Sequence, residues 1–168
     1  MSPLEAAIIA RARDCVGARF RLHGRSPETG LDCVGLAAVA YGAERVPSGY
    51  ALRGGRAEQV IALIDAAGLP RHAGLDPASR AARDPLSGSG CRIKSGMTVE
   101  GKERPILLRS EGEPGPAALM LLLAGPYQFH LAIRTERGFV HADAGLRRVT
   151  EVPGTPRWPL IAHWLPHN

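Results

Sequence analysis

The chain lacks the patterns that mark disulfide-stabilised, zinc-finger and membrane proteins. Its three cysteines form no CxxC pair, which argues against both a disulfide framework and a zinc finger. The longest apolar run, 117–124, has the length of a strand and falls far short of the ~20 residues that span a membrane. The N-terminus lacks the basic and apolar segments of a secretory signal. We therefore expect a protein made in the cytoplasm with reduced thiols, no signal peptide and no membrane span.

Positive charge is concentrated in one part of the chain, and the net charge is +5. Residues 71–109 hold eight basic and four acidic side chains, whereas the rest of the chain carries 13 basic and 12 acidic ones. Aromatic residues make up only 5% of the sequence, and no basic helix interleaved with aromatics is available to follow a phosphate backbone. The sequence therefore predicts no binding to nucleic acid.

Apolar periodicity predicts a single α+β domain over residues 1–168. Helical spacing predicts helices over 3–15, 33–42 and 56–67. Runs of apolar and alternating residues predict strands over 117–123, 130–134, 138–142, 146–152 and 160–165. Helices followed by a meander of strands indicate N-terminal helices packed on a central antiparallel sheet.

Between the helices and the strands, residues 71–109 have few apolar residues and no clear period. Within them, residues 72–79 and 92–98 resemble a peptide produced when a common bacterial intergenic repeat is translated in frame. We predict that 71–109 is a disordered insertion in a surface loop, with 71–101 as its repeat-derived part. Such an insertion is tolerable because loop-closure entropy grows slowly with length. Cys91 then has no catalytic role, and an ordinary functional lid is the alternative.

The segment around Cys33 predicts a nucleophile at the start of a helix. Gly30 permits a turn, Asp32 is a favoured N-cap residue, and apolar residues at helical spacing follow. A sulfur in the first helical turn lies at the positive end of the macrodipole, which favours the thiolate. The alternative is that Cys33 is a small buried apolar residue, as most free cysteines are.

Two histidines are placed to serve such a thiol. His130 opens one predicted strand and His141 closes the next, so a short hairpin brings the two imidazoles together. His130 then suits the role of base, and His141 the role of the group that orients it. Taken alone, His130 is better explained as a solvated, inert side chain, and the partner residues Cys33 and His141 favour the functional interpretation. Cys33, His130 and His141 are also acceptable zinc ligands, although no fourth ligand is evident.

Several segments resemble one known family. Residues 32–36 (Asp-Cys-Val-Gly-Leu) resemble the Asp-Cys-Ser-Gly-Leu signature of the NlpC family of papain-like cell-wall cysteine peptidases. Residues 130–133 and 139–142 resemble its His-Val-Gly-Ile and Phe-Ile-His-Ala strands. Residues 17–26 resemble its Gly-Thr-Pro-Tyr-Arg-Trp-Gly-Gly loop, in a form closest to the tail-associated peptidases of phages and gene transfer agents. The resemblance covers 3–70 and about 114–165, in the family's order.

The resemblance implies a papain-like, NlpC-type fold that hydrolyses an amide bond in peptidoglycan stem peptides. The usual target is the bond between γ-D-glutamate and a diamino acid. Cys33 would attack the carbonyl, His130 would transfer protons, and His141 would orient His130 as the third group of a triad. This Cys-His-His chemistry requires no metal or other cofactor.

The resemblance also implies the residues that line the substrate cleft. It places Asp32 near the substrate amine and places Phe20 and Val34 beside it. Val34 replaces the usual Ser and Phe20 replaces a common Tyr, so each change removes a hydroxyl group. A Gly-Asp before the central strand is Gly-Pro here, at residues 115–116. These departures leave the triad intact and concern substrate specificity.

The implied setting is a phage-like tail or gene transfer agent. Such an enzyme would be incorporated in the particle, with tail proteins as partners, and would open the cell wall in the envelope during DNA delivery. The alternative is a structural tail component of the same fold, whose activity the insertion or the cleft changes have impaired.

Overall fold

The computed structural model describes residues 1–43, 46, 50, 54–66, 106–110 and 112–167. Its helices are α1 (Pro3–Asp14), α2 (Cys33–Tyr41) and α3 (Ala57–Ala66). Its strands are β1 (Arg25–Ser26), β2 (Gly30–Leu31), β3 (Ile106–Ser110), β4 (Leu119–Gly125), β5 (Gln128–Arg134), β6 (Gly138–Asp143), β7 (Arg148–Pro153) and β8 (Leu160–His167). The predicted α+β class is confirmed, and each predicted helix and strand has a counterpart.

Six strands form one antiparallel sheet in the order β3-β8-β4-β5-β6-β7. The meander from β4 to β7 pairs each strand with the next, and β8 returns to pair with β4. β5 and β6, which carry the two predicted catalytic histidines, therefore lie inside the sheet. β1 and β2 form a separate antiparallel pair just before α2.

The two faces of the sheet bury different sets of residues. The helix-covered face includes Leu131, Ile133, Val140 and Val149, which pack with residues of α1 and α2 in the main core. The opposite face buries Met120, Leu122, Ala132 and Phe139, with Val152 and Trp158 packed against them. Side chains alternate along a strand, so successive residues of β5 and β6 lie on opposite faces of the sheet.

α1 and α2 both have well-formed ends, and the N-cap that the sequence predicts at Asp32 is present. Ser2 and Glu5 form a reciprocal capping box at the start of α1, with Pro3 at its first position. Asp32 caps α2, which ends at Gly42 with a positive φ of 67°. These caps satisfy backbone groups that the helices leave unpaired.

α3 is attached to the helix-covered face by a narrow contact. Val60, Ile61 and Ile64 are half-buried against the main core. The indole N–H of Trp164 on β8 donates to Asp65 Oδ1 at 2.8 Å. α3 therefore packs at the margin of the core.

The loop after α1 extends the sheet beyond β7. Gly17 N–H donates to the carbonyl of Val149 at 2.9 Å, and Val149 N–H donates to the carbonyl of Ala18 at 2.8 Å. Arg19 forms an antiparallel bridge with Arg148. This pairing covers the outer edge of β7 and leads the chain toward β2 and the start of α2.

β3 was not expected from the sequence. It pairs with β8 from Ile106↔His167 to Ser110↔His163. Residues 106–109, which the sequence analysis assigned to the predicted insertion, are thus in a strand. Residues 71–105, including Cys91, lie outside the described residues. Within the described ranges, no helix has both the length and the apolar character needed to cross a membrane.

A close backbone approach requires glycine in the first turn of α2. A Cβ atom added at Gly35 would lie 2.0 Å from the carbonyl oxygen of Gly24. A backbone carbonyl cannot move aside as a flexible side chain does, so the loop presses directly on α2. This contact fixes the position of the helix start relative to the loop.

We expect Gly35→Ala to destabilise the fold by about 3 kcal/mol, the upper end of the usual cost of overpacking. Gly55→Ala is the matched control, because a Cβ there would meet only the Phe129 ring at 3.9 Å. Urea unfolding of both variants checks this, with a lower midpoint and an unchanged slope expected for Gly35→Ala alone. Equal midpoints for the two variants would contradict it.

Candidate active site

Cys33 is the first residue of α2, as the sequence predicts. Asp32 Oδ1 accepts a hydrogen bond from Gly35 N–H at 2.8 Å and so fixes the first turn. The Cys33 side chain packs with the helix-side core, and its residue is only 7% exposed. The backbone N–H groups of Leu131, Cys33 and Val34 stabilise negative charge on its sulfur.

Although Cys33 lies at the start of a helix, its thiol is not ionised at neutral pH. Burial raises the pKa of the Cys33 thiol to about 11, and the negative charge of Asp32 adds to the increase. The backbone N–H groups lower the pKa, but they offset only part of the cost of desolvation. Cys33 is therefore a neutral thiol at neutral pH, and the prediction from the macrodipole alone is wrong.

The two predicted histidines do meet. His130 Nε2 lies 3.0 Å from His141 Nδ1, and the rings are nearly perpendicular at 89°. Burial lowers the pKa of His130 to about 4, with a further decrease from His141, while Asp143 opposes it. Burial also lowers the pKa of His141. Both imidazoles are thus neutral at pH 7, the form in which a histidine can accept a proton.

Asp143 is a further member of this cluster that the sequence analysis missed. Its Oδ2 lies 3.9 Å from His141 Nε2. Its Oδ1 accepts from the backbone N–H groups of Gly145 at 2.7 Å and Leu146 at 3.0 Å, so its orientation is fixed. Position 143 lies two residues after His141 on β6, and this i, i+2 spacing is the signal that could have identified it.

The cluster sets which nitrogen atoms carry protons. The Asp143 carboxylate favours a proton on Nε2 of His141, which leaves Nδ1 of His141 as an acceptor. His130 then donates from Nε2 and keeps an unprotonated Nδ1. This assignment follows from the hydrogen-bond network. Within the described ranges, His130 Nδ1 has no hydrogen-bond partner, so it is free to accept a proton.

Trp158 covers the histidine pair. Its ring centroid lies 5.4 Å from that of His130 and 5.6 Å from that of His141. Phe139 contacts His141 from the other side at 5.2 Å. These aromatic rings give the imidazole pair apolar surroundings, in which a hydrogen bond is stronger than in water. The sequence analysis missed Trp158, because it belongs to a loop with no apolar period.

The Cys33 sulfur contacts the backbone of β5 where a strand ladder ends. The ladder between β5 and β6 includes only Ala132, Ile133 and Arg134 on β5. Leu131 lies just beyond it, and its N–H serves the Cys33 sulfur. His130, the preceding residue, belongs to the opposite face. Within the described part of the chain, Cys33 and His130 share no hydrogen bond, as is common before a substrate binds.

Asp32 has a different environment from the one that the family resemblance implies. Its carboxylate is 0% exposed, so it has no surface for a substrate amine. Besides Gly35 N–H, it accepts hydrogen bonds from His23 N–H at 2.7 Å, Arg25 Nη1 at 3.1 Å and the Tyr50 hydroxyl. Asp32 therefore holds the loop against α2. In this structure Asp32 is a buried anchor, and its place near the substrate amine stays a prediction.

Tyr50 and Arg25 are the parts of this network that reach toward solvent. The Arg25 side chain is 31% exposed, and its Nη2 donates to the Tyr50 hydroxyl at 3.0 Å. Burial, and then the bond to Asp32, raise the pKa of Tyr50 above its ordinary value. The sequence analysis missed Tyr50, since no regular spacing connects it to Asp32.

Of the other two predicted cleft residues, Val34 follows Cys33 directly, and Phe20 pairs with Leu31 just before α2. Phe20 forms a parallel bridge with Leu31 and is half-buried against the main core. Val34 occupies the first turn of α2 and is half-buried against the same core. Neither residue contributes a polar group to the site.

The zinc alternative finds no support in the geometry. Among the residues that the structure describes, no group of three or more His, Cys, Asp and Glu side chains is arranged to hold a metal ion. The described residues contain a buried thiol in contact with the backbone of Leu131 and an oriented imidazole on the preceding residue, His130. Such a pair can carry out nucleophilic catalysis by general-base activation.

Alkylation by iodoacetamide tests the neutral thiol. In a Cys15→Ala, Cys91→Ala variant, we expect the rate at Cys33 to rise about tenfold per pH unit from pH 7 to 10, because only the thiolate reacts and its pKa is near 11. The same variant unfolded in urea is the control, with a plateau above the ordinary thiol pKa of about 8.5. A plateau below pH 8 in the folded protein would contradict the neutral thiol.

Comparisons extend the description no further. Family models, curated proteins and solved structures were compared with the chain, and none of them matches it.

Proposed function

We propose that this chain is a cysteine peptidase with an NlpC-type papain-like fold. Its substrate is the peptidoglycan stem peptide, and the bond that it hydrolyses is the amide between γ-D-glutamate and a diamino acid. The observation that carries the proposal is the 3.0 Å contact between His130 Nε2 and His141 Nδ1. Leu131, the residue after His130, contacts the helix-start thiol through its backbone N–H. The motifs around Cys33, His130 and His141 support it from the sequence.

Acylation begins from neutral partners. As the Cys33 sulfur attacks the scissile carbonyl, its proton passes to Nδ1 of His130, which is neutral because its pKa is about 4. The resulting oxyanion lies near the N-terminus of α2, where the Cys33 N–H donates to it and the macrodipole stabilises it. The C–N bond then breaks, His130 returns the proton to the leaving amine, and a thioester remains on Cys33.

Deacylation repeats the same proton transfers with water. His130 accepts a proton from the attacking water molecule, a second oxyanion forms, and the C–S bond breaks. The proton returns to the Cys33 sulfur, and the γ-D-glutamyl product leaves as a carboxylic acid that releases its own proton to solvent. Throughout both steps His141 accepts from His130 Nε2 and so keeps Nδ1 directed to the reaction.

The biological setting that we propose is a phage-like tail or gene transfer agent. The particle would carry the peptidase to the envelope, where it opens the cell wall locally during DNA delivery. This part of the proposal is supported by residues 17–26 and their resemblance to tail-associated peptidases. Its protein partners would be the neighbouring tail components.

A structural tail component of the same fold is the second candidate. The raised pKa of Cys33, about 11, favours it, because a buried neutral thiol is a weak nucleophile without a base in contact. In the described residues Cys33 and His130 are not hydrogen bonded, which also favours it. Activity requires substrate binding to bring sulfur and imidazole together.

Hydrolysis of purified peptidoglycan tests the enzymatic proposal. We expect release of new diamino-acid amines by the wild-type protein and a loss of at least about 1000-fold in Cys33→Ala, as for other nucleophile removals. Cys15→Ala is the matched control, since Cys15 is likewise a buried free thiol but lies at the C-cap of α1. Identical amine release by wild type and Cys33→Ala would leave the structural component as the function.

Asp143→Asn tests the orienting role of Asp143. Asn keeps an oxygen for Gly145 and Leu146 but loses the charge next to His141. We expect kcat to fall about 10- to 100-fold with KM unchanged, less than the ~10⁴ for a directly bonded carboxylate. Because Asp143 raises the pKa of His130, which is about 4, the acid limb of the pH profile should also move to lower pH. A purely structural role would leave that limb in place.

A further inference from the structure

Two arginines continue the row of paired residues that crosses the sheet from Asp143. Asp143 on β6 is the register partner of Arg148 on β7. Arg148 is in turn bridged to Arg19 in the loop that covers the edge of β7. Directly opposed residues in a sheet point to the same face. Arg148 and Arg19, hereafter the arginine pair, therefore lie on the face of Asp143 and His141.

The alternation of side chains along each segment independently places Arg148 and Arg19 on this same face. Val149 belongs to the helix-side core, so its neighbour Arg148 faces the other way. Phe20 packs against that same core, and its neighbour Arg19 again faces the other way. Two chain segments that are far apart in sequence thus bring two guanidinium groups to the face that carries the histidines.

The arginine pair is exposed and has no acidic partner. Both residues are exposed, and neither forms an ion pair with a carboxylate in the part of the chain that the structure describes. The nearest acid by register, Asp143, is already occupied by Gly145 and Leu146 N–H groups. Like charges directly opposed across strands destabilise a sheet. Such a pair is therefore poised for an anion from outside the chain.

The position of the pair relates it to the proposed reaction. Adjacent strands are about 4.8 Å apart, so Arg148 lies one strand spacing from Asp143 and Arg19 lies two. The loop of Arg19 also leads to Cys33, because Leu31 N–H donates to the Arg19 carbonyl at 2.9 Å. An extended peptide spans about 3.5 Å per residue, so a group one to three residues from the scissile bond would reach the guanidinium groups.

We propose that Arg19 and Arg148 form a carboxylate-binding subsite, which selects peptides with a free carboxylate near the scissile bond. The inference rests on the proposed function and deepens it by naming the charge of the substrate. Guanidinium groups suit this role because they bind carboxylates through paired N–H donors. Hydrolysis of the proposed amide bond gives an acidic product, and the stem peptide carries carboxylates on both sides of that bond.

A long anionic polymer fits the surface less well. Outside 71–109 the basic and acidic residues are nearly balanced at 13 and 12, so this part of the sequence has almost no net positive charge to attract a polyanion. Nucleic-acid binding requires several phosphate contacts along a basic surface. A single carboxylate needs only the two guanidinium groups.

The test compares two synthetic tripeptides, one with free α-carboxylates and one with the same positions amidated. We expect wild-type kcat/KM to be at least about tenfold higher for the free acid, mainly through KM, a modest value for one charge-assisted contact. The Arg19→Gln, Arg148→Gln double variant should lose this preference. Arg137→Gln is the matched control, because Arg137 is an exposed arginine in the turn at the opposite end of β6. Urea midpoints of the double variant should equal or exceed those of wild type, since the opposed charges are removed.

Binding of the same peptides to Cys33→Ala separates this proposal from the proposed function. Tighter binding of the free acid that disappears when both arginines are replaced supports the subsite, even if wild-type protein hydrolyses neither peptide and the peptidase proposal fails. Equal binding of the two peptides, or a preference that survives in the double variant, overturns the subsite. Arginine-dependent binding of a 20-nucleotide single-stranded DNA without any peptide preference also overturns it and assigns the surface to a polyanion.

Discussion

The buried carboxylate of Asp32 is the constraint on which the site depends. It caps α2 through Gly35 N–H and holds the preceding loop through His23 N–H, Arg25 and Tyr50. The carbonyl of Gly24 presses on Gly35 from the same loop. Because a fully buried charge is costly without partners, these donors and the carboxylate require one another. Together they fix the one turn of helix that carries the Cys33 sulfur.

The same burial that orders the site also determines its electrostatics. Desolvation raises the pKa of Cys33 to about 11 and lowers that of His130 to about 4. The two shifts disfavour a resting ion pair and leave a neutral thiol with a neutral imidazole. Charge separation then arises only during attack on a carbonyl, at the helix end where the oxyanion is stabilised. The cluster of His130, His141, Asp143 and Trp158 is suited to that transient charge.

Local patterns in the sequence predicted much of the fold and part of the site. Helix caps, the i, i+4 spacing of α1 and α2, and the hairpin between His130 and His141 are local features, and each is present in the structure. The pKa of Cys33, the burial of Asp32 and the contact with Tyr50 depend on residues that pack from elsewhere. The arginine pair was not found, because Arg19 and Arg148 meet only through the pairing of distant segments.

The edge pairing of the loop after α1 couples two parts of the molecule mechanically. Residues 17–20 are hydrogen bonded to β7, and the next few residues lead into the loop that ends at Cys33. Fraying of β7 would release this loop, and the position of Cys33 would then no longer be fixed. The pairing with β7 therefore holds the loop that leads to Cys33. The position of the Cys33 sulfur depends on how rigid this edge strand is.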